Sequence, residues 1–225
     1  MPMLNWSNID TVLLDMDGTL LDLHFDSHFW LTVIPREHAK KQNITLAEAT
    51  ADIMKRYEAV GGQIQWYCLD YWQAQLDLPI MALKREIQHL ITVREDTPAF
   101  LNALKSAGKE LILLTNAHPD SLSLKIERTQ FDQYLDKIIS THEYGVSKES
   151  QSLWQQVQAD LQFDKARTLF VDDSLAVLDA AKKYGIAHLL AIANPDSKQP
   201  ANNITGYHAI TDYRTLLPLT DNEVS

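Results

Sequence analysis

The chain has 225 residues, of which 45% are hydrophobic, so it can form one substantial core and a smaller second unit. Its formal net charge of −10 argues against bulk binding to nucleic acid, which requires a basic surface. Cys68 is the sole cysteine, which excludes an intramolecular disulfide. We recognise neither a secretory signal nor an apolar run of membrane-spanning length, and therefore expect a cytoplasmic protein without a membrane partner.

The first predicted strand covers residues 9–16 and runs directly into an acidic turn. Side chains alternate along a strand, so Asp15 and Asp17 are expected to point to the same side as the chain leaves the sheet. Gly18 permits a sharp turn at this point. Two carboxylates held so close together repel each other unless a cation lies between them, and an oxygen-binding divalent ion is the natural candidate.

The next segment, from about residue 24 to residue 92, shows helical periodicity and no strand pattern. A first helix begins near Phe29, and we expect Pro35 to interrupt it. Thr45 and Glu48 form a capping box that starts a second helix, and Gly61 ends it. Pro79 suits the start of a further helix. The sequence therefore predicts an all-helical module inserted directly after the first strand.

From residue 97 onwards helices and strands alternate, which predicts a parallel sheet covered by helices on both faces. Ligands of such sheets bind beyond the carboxyl ends of the strands, where the strand order reverses. Pairs of polar residues end two of the predicted strands, namely Thr115–Asn116 and Asp172–Asp173. The predicted strands span residues 110–114, 137–140, 168–171 and 187–193, of which the last is expected to end the sheet, with a short helix at 213–217.

The four short segments around Asp15, Thr115, Lys148 and Asp173 resemble, in this order, the four motifs of the haloacid dehalogenase (HAD) superfamily. The resemblance implies that Asp15 is a nucleophile that forms an aspartyl phosphate and that Asp17 is a general acid and base. It implies phosphate binding by Thr115 and Asn116 and charge neutralisation by Lys148. It further implies a Mg²⁺ cofactor.

The metal ligands that the resemblance implies are Asp15, the backbone carbonyl of Asp17, and Asp173 as a direct ligand. Asp172 is expected to bind the ion directly or through a water molecule. The chain departs from the family pattern after Lys148, where Glu149 replaces the usual proline. Receiver domains also use Asp, Thr and Lys around Mg²⁺, but their paired acids come early in the chain, whereas Asp172–Asp173 come last.

The fold that this resemblance implies is a Rossmann-like α/β core, a three-layer α/β/α arrangement around a parallel sheet, with an all-helical C1 cap. We expect the core domain to comprise residues 1–23 and 93–225, and the cap domain to comprise residues 24–92. Residues 21–23 and 93–95 are the expected hinges. A cap that closes over the site favours small substrates over folded proteins.

Several longer segments resemble the bacterial GMP/IMP nucleotidases, which are 5′-nucleotidases of this superfamily. The resemblance implies that the chain hydrolyses purine nucleoside 5′-monophosphates, so the expected partner is a small phosphate ester and not a nucleic acid. We expect a monomer or a weak homodimer. The segments that carry this resemblance are residues 21–26 with 29–30, 66–72, 113–119, 194–197 and 212–214.

Aromatic residues of the predicted cap are candidates for stacking on a purine base, at roughly 1–3 kcal/mol per base. The residues that could stack are Trp30, Trp66, Tyr67, Tyr71 and Trp72. Of these, Trp30, Tyr71 and Trp72 are our substrate-binding candidates, although packing within the cap itself is the alternative for each of them. His118 follows the second motif closely enough to lie near the phosphate. No pair among the histidines has a spacing typical of metal ligands, so His24, His28 and His142 are interpreted as substrate contacts or surface groups.

Two other functions remain open at this point. A phosphatase or phosphomutase that acts on a small sugar phosphate or on phosphoglycolate would use the same motifs. A catalytically inactive binding homologue belongs to a different class, and the complete set of motif residues argues against it.

Overall fold

The structure is a computed structural model that describes residues 4–220. Residues 1–3 and 221–225 of the predicted core domain therefore lie outside the described part of the chain. Within residues 4–220, parallel strands form one six-stranded sheet in the order β3-β2-β1-β4-β5-β6. The strands are β1 (Thr11–Leu14), β2 (Glu110–Thr115), β3 (Lys137–Ser140), β4 (Thr168–Asp172), β5 (His188–Ile192) and β6 (His208–Ile210).

The helices fall into two groups, one between β1 and β2 and one between the later strands. The helices of the first group are α1 (His24–His28), α2 (Ile34–Gln42), α3 (Leu46–Val60), α4 (Ile64–Tyr67), α5 (Leu69–Leu76) and α6 (Ile80–Glu86). Those of the second group are α7 (Thr97–Ser106), α8 (Pro119–Thr129), α9 (Gln151–Leu161) and α10 (Leu175–Tyr184). We call the segment that carries the first group, residues 24–92, the helical insertion.

Two apolar layers hold the sheet between the helices of the second group. Val12 and Leu14 of β1 face a cluster that contains Phe100 of α7. Leu13 faces the opposite cluster, which contains Trp154 of α9. All residues of β1 are buried because both faces of the sheet are covered, as expected for a parallel sheet. This arrangement confirms the predicted three-layer α/β fold.

The helical insertion has an apolar cluster of its own, which includes Phe29, Ile53, Trp72 and Leu76. Its longest helix, α3, begins with the predicted capping box, in which the hydroxyl of Thr45 accepts the backbone N–H of Glu48. A backbone bridge joins residues 21 and 93, so the two chain connections between the insertion and the sheet lie side by side.

Two details of the predicted architecture were wrong. Pro35 does not interrupt a helix, because a π-helical turn at Phe29–Val33 connects α1 to α2 and places the proline in the first turn of α2, where no N–H is needed. The strand at 187–193 does not end the sheet, because β6 pairs with β5 in parallel. With three residues, β6 is too short to show a hydrophobic period.

The register of β1 with its neighbours determines what lies at the carboxyl edge of the sheet. Leu14 is opposite Leu113 of β2 and Val171 of β4. The residues that follow these positions, Asp15 and Asp172 in particular, therefore emerge next to each other. Among the described residues, no helix has the length and apolar character needed to cross a membrane.

Gly18 allows the chain to turn sharply at the end of β1. Its φ of +82° lies in the left-handed region, and its N–H donates to the carbonyl of Leu21 over 2.8 Å. A Cβ at this position would lie 2.6 Å from Oδ2 of Asp173 and 2.8 Å from Cβ of Pro195. Only glycine therefore allows β1 to approach the end of β4 so closely.

We expect Gly18→Ala to lower the free energy of unfolding by more than Gly108→Ala, as measured by urea denaturation. Gly108 is the matched control because its φ is +71°, but a Cβ added there would meet no heavy atom within 4 Å. In both variants the left-handed backbone conformation of an alanine costs about 1–2 kcal/mol. In Gly18→Ala the new Cβ also forces Asp173 to move, which adds to the loss. Equal losses in the two variants would contradict close packing at the end of β1.

Candidate active site

Three carboxylates, those of Asp15, Asp172 and Asp173, meet at the carboxyl edge of the sheet. Each of them offers an oxygen atom, and the three oxygens all lie within 4.8 Å of one another. Asp15 and Asp172 are almost completely buried. The parallel register of β1 and β4 brings these acids together although they are far apart in the sequence.

Lys148 lies inside this cluster, and its side chain is buried. Its ammonium contacts Oδ1 of Asp15 and lies 2.7 Å from Oδ2 of Asp172. The backbone of Lys148 is fixed from both sides, because its N–H donates to Asn116 and its carbonyl accepts the indole N–H of Trp154. The lysine is therefore held in place as a buried point charge.

One ammonium does not balance three carboxylates, and the pKa values of the acids reflect this. Burial raises the pKa of Asp172 to about 7, with Lys148 opposing the shift and Asp15 adding to it. Burial, together with Asp172 and Asp15, raises the pKa of Asp173 well above its ordinary value. Burial alone would lower the pKa of Lys148, but Asp15 and Asp172 raise it. The cluster therefore offers carboxylate oxygens and an excess of negative charge, both of which suit a hard divalent cation.

Asp17 lies at the same edge of the sheet but has a different partner. Oδ1 of its carboxylate accepts a hydrogen bond from Nζ of Lys125 over 2.6 Å. Burial raises the pKa of Asp17 to about 6, although Lys125 opposes the shift, and Asp26 and Asp15 add to it. A carboxyl group with such a pKa can give up or accept a proton near neutral pH.

A chain of buried ion pairs continues from Asp17 into the helical insertion. Lys125 of α8 also contacts Asp26 of α1 over 2.6 Å, and Asp26 accepts from Lys84 of α6 over 3.0 Å. Both lysine side chains are buried. None of these three residues was predicted as a site residue, since a lysine at a helical spacing is typical of a solvated surface.

Thr115 and Asn116, at the end of β2, are buried beside Lys148. The hydroxyl of Thr115 accepts the N–H of Ala117 over 3.0 Å. Asn116 donates to Glu149 over 3.2 Å, and Glu149 also accepts the hydroxyl of Tyr67 over 2.8 Å. The residue that departs from the family pattern thus connects the end of β2 to the helical insertion.

A cavity of about 360 Å³ opens between the sheet edge and the helical insertion. Trp30 and Trp66 form part of its wall on the side of the insertion, whereas Tyr71 and Trp72 are not among its lining residues. Trp72 is fully buried, and its indole N–H donates to the carbonyl of Trp66 over 2.8 Å. The predicted site residues that line this cavity are Asp15, Asp17, Trp30, Thr115, Asn116, His118, Lys148, Asp172 and Asp173.

Comparison with known proteins agrees with this arrangement. A model of the family described as haloacid dehalogenase-like hydrolase matches residues 9–185, which include the motif residues Asp15, Thr115, Lys148 and Asp173. The chain belongs to this family. Within the family, it is 46% identical over 213 residues to the GMP/IMP nucleotidase YrfG of Escherichia coli (strain K12) and to that of Shigella flexneri. These alignments cover 95% of this chain and 96% of either relative.

The chain is accordingly a phosphoric monoester hydrolase of the HAD superfamily. Solved structures from the family share its fold. A HAD phosphatase from Thermococcus onnurineus matches with a TM-score of 0.76 at 21% identity, covering 95% of this chain and 100% of that one. A putative β-phosphoglucomutase from Thermotoga maritima matches with a TM-score of 0.65 at 17% identity, covering 94% and 98%.

Proposed function

We propose that this protein is a Mg²⁺-dependent phosphatase that hydrolyses purine nucleoside 5′-monophosphates, GMP and IMP in particular, to nucleoside and phosphate. The observation that carries the proposal is the 46% identity to a GMP/IMP nucleotidase over nearly the whole chain, helical insertion included. The cavity supports it, because acids suited to phosphoryl transfer lie at one end and tryptophans at another wall.

Asp15 is the proposed nucleophile. Its carboxylate attacks phosphorus in line, a bond forms between a carboxylate oxygen and phosphorus, and the bond from phosphorus to the ribose oxygen breaks. The contact between Lys148 and Asp15 supports this role, because the ammonium offsets the repulsion between the carboxylate and a phosphate dianion. The product of this step is an aspartyl phosphate on Asp15.

Asp17 is the proposed general acid and base. In its protonated form it donates a proton to the departing ribose oxygen. In its ionised form it then removes a proton from the water molecule that hydrolyses the aspartyl phosphate. Its pKa of about 6 supports both roles, since both forms are accessible near neutral pH. Lys125, which contacts Asp17 over 2.6 Å, orients the carboxyl group.

Asp15 and Asp173, with the backbone carbonyl of Asp17, would hold Mg²⁺. Bound there, the ion supplies positive charge to the phosphate oxygens. The carboxylate of Asp172 already accepts from Lys148 and, over 2.8 Å, from the N–H of Ser174. We therefore assign to Asp172 mainly the role of orienting Lys148, and to Asp173 that of a direct ligand.

Trp30 and Trp66 are the proposed contacts of the purine base. Both are partly exposed, and both line the cavity. Their ring centroids are 6.4 Å apart, and the rings are inclined by 33°. The predicted contributions of Tyr71 and Trp72 are better explained as support, since each packs edge-to-face within the insertion.

The test of this proposal is phosphate release with Mg²⁺ from GMP, IMP, AMP, UMP, glucose phosphates and phosphoglycolate, with Asp15→Asn as the blank. We expect GMP and IMP to give the highest kcat/KM, and Asp15→Asn to be inactive because it removes the nucleophile. A preference for a sugar phosphate would be consistent with the proposed mechanism but would contradict the proposed purine nucleotide substrate. Activity of Asp15→Asn near that of the unmodified protein would overturn the mechanism.

We expect Trp66→Leu to raise the KM for GMP on the order of tenfold, because one stacking surface is lost. The KM for glycerol phosphate, which has no ring to stack, should stay nearly constant. Trp6→Leu is the matched control, because Trp6 packs against Phe100 in the core and does not line the cavity. Equal changes for both substrates would contradict a contact between Trp66 and the base.

A further inference from the structure

A second cluster of potential metal ligands lies apart from the acidic one, where the helical insertion meets the core. It consists of Cys68, His118 and His142, whose ligand atoms, one from each residue, all lie within 4.8 Å of one another. These residues come from three separate segments. Cys68 lies between α4 and α5, His118 directly precedes α8, and His142 follows β3. The fold thus brings together one sulfur and two imidazole donors that are far apart in the sequence.

A second observation at this cluster points to a ligand. Nε2 of His142 is buried and forms no hydrogen bond of normal geometry within residues 4–220, although the backbone of Asn116 and Tyr67 lies near the ring. A buried polar atom without a partner costs free energy, so a group that can pair with it is expected to be stabilising. Cys68 is a free thiol, and its side chain is only partly buried. The cluster is therefore open enough for an ion to enter.

We propose that Cys68, His118 and His142 form a binding site for a borderline-soft divalent metal ion such as Zn²⁺, which cross-links the helical insertion to the core. One thiolate and two imidazoles are the donors that Zn²⁺ prefers, whereas the acidic cluster offers oxygens only. Ligands at about 2.3 Å for sulfur and about 2.0 Å for nitrogen lie roughly 3.5 Å apart. The three donor atoms, which lie within 4.8 Å of one another, therefore need to approach by at most about 1.3 Å.

The groups around His118 are able to complete such a site. Oδ2 of Asp70, on the insertion, lies 3.6 Å from Nε2 of His118, so that its carboxylate, or a water molecule, can be the fourth ligand. A metal ion on Nε2 requires the proton of the ring to be on Nδ1. That atom lies 3.8 Å from the Asp120 carboxylate, which can accept a hydrogen bond from Nδ1–H once the two groups move closer, as in many metal–histidine–carboxylate arrangements.

Binding of the ion displaces two protons, one from the Cys68 thiol and one from Nε2 of His118. The thiol of Cys68 loses its proton to solvent and becomes a thiolate. Nδ1 of His118 accepts the Asp120 N–H over 3.3 Å, an arrangement in which a neutral ring carries its proton on Nε2. On metal binding this long hydrogen bond is given up, and the ring proton moves through solvent to Nδ1.

The experiment is a titration of the whole protein with Co²⁺, as a spectroscopic substitute for Zn²⁺, with saturating Mg²⁺ present. We expect a thiolate-to-cobalt charge-transfer band with a stoichiometry of one ion per chain, which Zn²⁺ then abolishes. Because Cys68 is the sole cysteine, the band reports on this site alone. Co²⁺ bound to the acidic cluster cannot produce it, since that cluster has no sulfur.

The histidine variants test whether the two imidazoles bind the ion together with the thiolate. We expect His142→Gln and His118→Gln each to weaken Co²⁺ binding by more than about 100-fold, which is more than the loss of an outer-shell partner costs. His89→Gln is the matched control, because His89 is exposed and is not part of the cluster. Absence of the band, or a band of unchanged affinity in His142→Gln, would overturn the proposed site.

A measurement that needs no variant keeps the proposal testable if a substitution prevents folding. Zn²⁺ should slow the alkylation of Cys68 by iodoacetamide in the unmodified protein, with Mg²⁺ present throughout, because a metal-bound thiolate is protected. An unchanged alkylation rate at saturating Zn²⁺ would overturn the proposal. Neither experiment depends on the substrate or on turnover, so failure here leaves the proposed phosphatase function untouched.

Discussion

Electrostatic repulsion among buried carboxylates is the constraint on which the rest of this site depends. Asp15, Asp172 and Asp173 are brought together by the parallel pairing of β1 with β4, and Lys148 lies among them. Such an arrangement would be costly if the acids had no further partner. The apolar packing on both faces of the strands that carry the acids offsets this cost, and Gly18 allows the close approach that forms the cluster. The excess of negative charge at this site suits a divalent cation.

The architecture could be predicted from the sequence where a feature had a local cause. Alternating strands and helices, polar residues at strand ends and the capping box at Thr45 all follow from short segments, and the structure contains them. The position of β6 could not be predicted, because its pairing with β5 depends on tertiary contacts over three residues. Pro35 was misinterpreted because a π-helical turn has no recognisable local signal.

The contacts between the helical insertion and the core had no sequence signal at all. Lys84 and Lys125 look like surface lysines in the sequence, yet both are buried and converge on Asp26. Glu149 departs from a family pattern, and only the structure shows that it accepts from Tyr67 of the insertion. Long-range ion pairs of this kind depend on which helix faces the cavity, and hydrophobic periodicity does not specify that. They give the insertion a defined position above the acids.

The most direct test of this account is the number of protons released when Mg²⁺ binds, measured by calorimetry in buffers of different ionisation enthalpy. Burial raises the pKa of Asp172 to about 7 and that of Asp173 well above its ordinary value, so the site without a metal ion binds protons more tightly than ordinary aspartates do. A bound cation favours their ionised forms. The account therefore predicts proton release near pH 6 that disappears as the pH rises above these pKa values, together with loss of binding in Asp173→Asn. Binding without proton release, or of equal strength in Asp173→Asn, would contradict it.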